Sequence, residues 1–198
     1  MLRTQAILAI LISLGIPGLA IASLSANDNL WVALKQGNHI ALIRHALAPG
    51  FGDPDNFDID ACSTQRNLIG KGREHARVIG KLFRANDMEA ANIYLSQWRR
   101  CMQTARLIEL GLVNELEYLN SFFQHMSREW FQTEAKRRWI NAASLHVPTL
   151  LVTHQVNILA LTGVSPGSGE IVFIKREPNG QLSPIGIVKN SQVTKIFT

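Results

Sequence analysis

Ile40-Ala41-Leu42-Ile43-Arg44-His45-Ala46 is the stretch that decides the fold. Four consecutive apolar residues leave no polar face for water, which is the pattern of a strand covered on both sides in a parallel sheet. The run ends on a guanidinium and an imidazole, at the strand's carboxyl edge, where open α/β sheets bind their ligands. Thr149-Leu150-Leu151-Val152-Thr153 reads as a second buried strand, and it too ends on a histidine, His154. A basic pair, Arg99-Arg100, follows a shorter strand at Ile93 to Ser96. Two histidines and two arginines converging on one point suit a phosphoryl group. The arginines match its oxygens bidentately, and an imidazole can attack its phosphorus.

Outward from these strands, the spacing predicts a helix over Gly72 to Arg84, with Ala76, Ile79 and Phe83 turned inward. A second helix is predicted over Arg100 to Leu110, with Ala105 and Ile108 inward, and a short apolar one from His154 to Leu161. Between Glu115 and Asn141 the pattern is mixed, but Trp130, Phe131 and Trp139 suggest a helix packed on the sheet. Ile171 to Lys175 and Ile185 to Val188 read as final strands, and the Pro178-Asn179-Gly180 turn between them marks an antiparallel excursion. Residues 48–67 are rich in Pro, Gly, Asp and Asn. A loop longer than about 15 residues is uncommon unless it has a function, and this one leaves directly from His45. The expected fold is α/β: a three-layer sandwich with a mostly parallel central sheet flanked by helices on both faces.

At 198 residues the chain fits one domain plus a segment to be removed. Residues 1–22 have the three parts of a secretory signal: Arg3, the apolar run Ile7 to Leu14, and the small-residue site Ala20-Ile21-Ala22. An uncleaved anchor is the alternative, although Gly15, Pro17 and Gly18 interrupt the stretch. Cleavage would leave a domain of residues 23–198, periplasmic or secreted and without stable membrane insertion. It would carry nineteen Lys and Arg against fifteen Asp and Glu. That balance favours anionic partners, but no basic run interleaved with aromatics points to nucleic acid. Cys62 and Cys101 are the two cysteines. Without nearby histidines they do not make a zinc site, and an oxidising compartment would permit a disulfide between them.

Four motifs in order resemble those of the histidine phosphatases, the phosphoglycerate-mutase-like superfamily. Leu42-Ile43-Arg44-His45-Ala46 is similar to that family's Arg-His-Gly, and Asn67 to Ala76 to its Leu-Thr-x-x-Gly-x-x-Gln-Ala. Ser96-Gln97-Trp98-Arg99-Arg100-Cys101-Met102-Gln103-Thr104-Ala105 is similar to its Ser-Pro-x-x-Arg-x-x-Gln-Thr-Ala, and Leu151 to Asn157 to its Val-Ser/Thr-His-Gly/Asn. The resemblance implies that His45 is a nucleophile that becomes phosphohistidine. It implies that Arg44 and Arg100 hold the phosphoryl oxygens and that His154 donates to the transferring group. Arg99 competes with Arg100, but counting back from Gln103-Thr104 favours Arg100. No metal or other cofactor is required, because arginines supply the positive charge. His39, His75, His125 and His146 match no motif and read as structural or surface residues. Trp98, Trp130 and Trp139 read as core or pocket wall.

Three departures from the family pattern stand out. Ala46 replaces Gly, which is tolerable only if its backbone stays at negative φ. Ile69 replaces Thr at a helix start. The leaving-group acid is not legible: Glu115, Glu117 and Glu170 are the candidates. The implied activity is an exported phosphomonoesterase acting on a small phosphorylated substrate, such as an envelope saccharide phosphate. The rival reading is a non-catalytic phosphate-binding or envelope-interaction protein that keeps the basic pocket.

Overall fold

A computed structural model describes residues 26–191. The expected secretory signal of residues 1–22 and its cleavage site lie outside the described residues. Helix α1 (Ala26–Lys35) leads into β1 (His39–Arg44), and a long loop then reaches α2 (Gly70–Arg84). β2 (Asn92–Leu95), α3 (Arg99–Ile108) and β3 (Val113–Glu115) follow, then α4 (Glu129–Ala142), β4 (Thr149–Thr153) and α5 (Gln155–Thr162). β5 (Ile171–Arg176) and β6 (Leu182–Val188) close the sheet.

The strand order is β3-β2-β4-β1-β5-β6. β3, β2, β4 and β1 run parallel, whereas β5 is antiparallel to both β1 and β6. β1 and β4 lie at the centre and are covered on both faces, which is why their sequences are continuous apolar runs rather than alternations. Alternate residues of β1 feed two cores. Ala41 and Ile43 join Trp31 of α1, Ile79 and Phe83 of α2, and Ala105 and Ile108 of α3. Ile40 and Leu42 join Ile140 of α4 and Ile158 of α5 on the other face. The three layers expected from sequence are therefore present.

Trp31 locks the first core by meeting Phe83 and Phe173 edge-on, with ring centroids 5.1 Å apart in both pairs. α1 and β3 were not apparent from sequence. The first buries Leu30, Trp31 and Leu34 among its described side chains, and the second is a three-residue edge strand. α4 forms where aromatic residues suggested a helix, but its inward face is not the expected one. Ile140 and Lys136 are buried, whereas Trp130 and Phe131 are 72% and 67% exposed. Those two side chains belong to neither core, and line only a surface hollow along α4.

Candidate active site

Register places the floor of the site. Arg44 pairs with Thr153 and Leu95 with Val152, so β1, β4 and β2 end side by side. The chain keeps this alignment for one more residue: the His45 N–H donates to the Thr153 carbonyl at 3.0 Å, and the Ser96 N–H to the Val152 carbonyl at 3.0 Å. His45, His154 and Ser96 thus meet at the carboxyl edge of the sheet, the imidazole rings of the two histidines lying 5.4 Å apart. α3 starts just beyond β2 and turns Arg100 onto the same spot, where it is buried.

Each ring has a defined tautomer. His45 Nδ1 lies 2.8 Å from the Ala46 carbonyl oxygen, which can only accept, so Nδ1 carries the proton and Nε2 keeps its lone pair. Burial first, and then Arg100, push the His45 pKa down to about 3, against the opposing pull of the Ala46 carbonyl. The imidazole is therefore neutral at any ordinary pH. His154 Nδ1 faces the Arg100 guanidinium at 3.4 Å, and a guanidinium can only donate. Nε2 therefore carries the proton and donates to Ser96 Oγ at 2.8 Å. Ser96 Oγ donates onward to Asn120 Oδ1 at 3.2 Å. Burial and the neighbouring Arg100 hold the His154 pKa well below the usual range.

Above this floor is a cavity of about 260 Å³. Arg44, Arg66 and Arg100 all line it, and Arg44 is held by a 2.9 Å bond to the Pro166 carbonyl. Arg66 donates to the Ala48 and Gly50 carbonyls at 3.0 and 2.8 Å, which folds the loop after His45 around the guanidinium. Among the described residues nothing accepts from the buried Nε of Arg44 or Arg100. Asp53 reaches in from the same loop. Its carboxylate takes Arg100 as a fork, at 2.6 and 3.2 Å, and also accepts from Trp98 Nε1 at 2.9 Å. Burial alone would raise its pKa, but the bonds and charge of Arg100 outweigh it and the net shift is downward. Leu47, Phe51, Phe123 and Val156 add apolar side chains to the lining, beside Ser121, Gln155 and Ser168.

Solved structures share this architecture. The protein histidine phosphatase SixA complexed with tungstate aligns with a TM-score of 0.56 at 14% identity, over 80% of this chain and 99% of that one. Phosphoserine phosphatase from Entamoeba histolytica, in complex with 3-phosphoglyceric acid, gives 0.57 at 12% identity, over 78% and 98%. The mycobacterial glucosyl-3-phosphoglycerate phosphatase gives 0.52 at 13% identity, over 70% and 92%. This chain has the histidine phosphatase fold. No family profile matches the sequence, and neither does any curated protein.

Within the histidine phosphatase fold, the structure brings together Arg44, His45, Arg100 and His154 and leaves Arg99 outside the cavity. The Arg99 backbone N–H donates to Gln65, and its side chain lies against Met102. Ala46 is accommodated for a local reason. It does not have a positive φ, and it is fully buried in a small cluster with Ala48, Leu68 and Ala76. Gly72, at the start of α2, allows this packing, since a Cβ there would run into the Leu47 carbonyl oxygen. Ile69 stands at the N-cap of α2 and makes no side-chain hydrogen bond there.

Two expectations need correction. None of the three glutamates lines the cavity. Glu115 and Glu117 are exposed, at the end of the edge strand β3 and just after it, and Glu115 meets Gln97. The Glu170 carboxylate is bonded instead to the Gly167 and Asn190 N–H groups. Nor do Cys62 and Cys101 form a disulfide; both are free. The Cys101 sulfur points inward to the Thr153 carbonyl and His154 Nε2, at 3.6 and 3.5 Å, while Cys62 lies in a 3-10 turn of the outer loop. Burial pushes the Cys101 thiol up to about 12, so it stays protonated.

Sequence reasoning missed Asp53, Arg66, Ser96 and Asn120. Two signals were available. Arg66 directly precedes the second motif, and Asp53 sits in the Gly50-Phe51-Gly52-Asp53-Pro54 bend of a loop already too long to be a plain connection.

Proposed function

We propose that this protein is an exported phosphomonoesterase that works through a phosphohistidine on His45. The observation that carries the reading is the buried imidazole itself, neutral and fixed with its proton on Nδ1, beside three guanidinium groups. Nε2 attacks phosphorus, and the positive charge that develops on the ring is shared through Nδ1–H with the Ala46 carbonyl. Arg44, Arg66 and Arg100 stabilise the oxygens of the transferring group, in a reaction where positioning and charge matter more than covalent help.

His154 supplies a fourth donor by exchanging tautomers. Ser96 Oγ can accept from Nε2 or donate to it. When a phosphoryl oxygen replaces Arg100 as the neighbour of Nδ1, Nδ1 takes a proton from solvent and Nε2 releases one to solvent, so the ring stays neutral. The Ser96 hydroxyl then turns toward Nε2, while Asn120 Oδ1 keeps its 2.9 Å bond from the Gln97 N–H.

The composition of residues 1–22 supports export to the periplasm or beyond. Phe51 and Phe123 in the lining, beside polar Ser121, Gln155 and Ser168, support a substrate that presents both a C–H face and hydroxyls beside its phosphate, as an envelope saccharide phosphate does. Solved proteins of the same fold named as phosphoserine and glucosyl-3-phosphoglycerate phosphatases support the reaction class.

Rapid acid-free quenching of the enzyme with a phosphate-labelled aryl ester tests the reading. One label per chain should appear on His45 and vanish in His45→Ala, with turnover falling at least about 100-fold. Phosphate binding with neither label nor turnover would make the protein the non-catalytic phosphate binder instead.

A further inference from the structure

We propose that Asp53 is the proton donor to the leaving group, a catalytic residue of the phosphoryl transfer on which this assignment rests. Three observations carry it. First, Asp53 is the one carboxylate among the described residues that line the cavity. Second, it belongs to the rim. His45, His154, Arg44 and Arg100 form the floor, while residues 47–53 line the cavity from the loop that leaves His45, so an ester oxygen on that side of the phosphorus would face Asp53.

Third, its mount is rigid. Gln124 clamps the Asp53 backbone from both sides, accepting from its N–H at 2.7 Å and donating to its carbonyl at 3.1 Å. Trp98 steadies one carboxylate oxygen and is itself stacked on Phe57, with ring centroids 4.9 Å apart. A carboxylate that served only to plug the pocket would not need to be held at three points.

Without substrate the carboxylate is ionised, because Arg100 pairs with both of its oxygens. A phosphoryl dianion settling on that same guanidinium changes the balance. It neutralises Arg100 and places negative charge beside Asp53, and a like charge favours the protonated carboxyl. Burial acts in the same direction once the cation is satisfied. The carboxyl group takes up a proton from solvent as the substrate enters.

The proton then passes from Asp53 to the ester oxygen as the P–O bond breaks and the bond from His45 Nε2 to phosphorus forms. In the second half-reaction a water molecule gives a proton to the Asp53 carboxylate as its oxygen bonds to phosphorus. The N–P bond breaks and His45 returns to its neutral state.

The test is the leaving-group dependence of Asp53→Asn. The ratio of kcat/KM for p-nitrophenyl phosphate to that for glycerol phosphate is measured in wild type and variant. A nitrophenolate leaves without a proton and an alkoxide does not, so the ratio should rise about 100-fold, the lower range of a general acid's contribution. Because both substrates report on the same active fraction, misfolding cancels from the ratio. An unchanged ratio in an active variant overturns the assignment and leaves the phosphatase reading standing. A uniform rise in kcat/KM for both esters overturns it in favour of a carboxylate that merely blocks Arg100. Wild-type protein that turns over neither ester and forms no phosphohistidine overturns the phosphatase reading, and this assignment with it.

Discussion

His45 and His154 stand at the ends of paired strands, whereas Asp53 and Arg66 reach the same cavity from the loop of residues 48–67. The two halves of the pocket are held by different forces. On the floor, ladder hydrogen bonds and two apolar cores fix the backbone, and each side chain needs only one further bond to set its tautomer. On the rim there is no ladder. Side chains bonded to backbone do that work: Arg66 gathers the carbonyls of residues 48 to 50, and Gln124 holds Asp53. Gly50 and Gly52 supply the positive φ that the bend requires. If the proposed reaction holds, changes on the floor should stop turnover of every ester, whereas changes at Asp53 and Phe51 on the rim should depend on the leaving group.

Arg100 offers the hardest test of that division, since it is a floor residue by its place on α3 and the anchor of the rim through Asp53. Arg100→Ala should lower kcat/KM by roughly 100- to 1000-fold, the usual cost of one preorganised donor to a developing charge. Arg99→Ala, one residue away, should leave kcat/KM close to wild type, because this half-buried side chain lies against Met102 and outside the cavity. Steady-state kinetics on an aryl phosphate measure both. Equal losses would show that α3 does not turn Arg100 alone toward the phosphate.

The same division governs what could be read from the chain. The floor was legible because strand ends have a signature: an apolar run of four or five residues and then a polar group. Ile40 to Arg44 and Thr149 to Thr153 both carry it. Arg100 was legible from its spacing to Gln103-Thr104, and in the structure Arg100, Thr104 and Ala105 fall together on the buried stripe of the helix that follows β2. Asp53 was not, because its role depends on a fold-back stabilised by Gln124, 71 residues away. No local pattern encodes a contact of that range. The cysteines misled in the opposite way. Their place in the sequence framed the pocket, yet the helical stripe that makes Arg100 useful also turns Cys101 into the core, behind His154.

Ser96 sharpens the comparison from inside the floor. It touches no ligand in the proposed reaction, and it acts by allowing His154 to exchange tautomers. Ser96→Ala should lower kcat about tenfold with KM little changed, the worth of one hydrogen bond near 1.4 kcal/mol felt mainly in the transition state. Loss of KM instead would mean that Ser96 and His154 serve ground-state binding alone.

Phe51 carries the smallest expected effect and the cleanest reading of the rim. The side chain is 87% exposed and meets Phe123 edge-on at 4.8 Å, so removing it opens no core cavity and should leave stability almost unchanged. What it offers is a ring face beside the mouth of the pocket. An aromatic contact of this kind contributes about 0.5–1.5 kcal/mol beyond area burial, which corresponds to a rise of roughly two- to tenfold in KM for Phe51→Ala. Because the ring lies away from the reacting atoms, kcat should hold. The effect should also depend on the ester: present for a sugar phosphate or an aryl phosphate, and absent for a small alkyl phosphate that does not reach the rim. An equal change for all three esters would show that Phe51 acts by shaping the loop rather than by meeting the substrate, and the rim would then lose its part in selecting the leaving group.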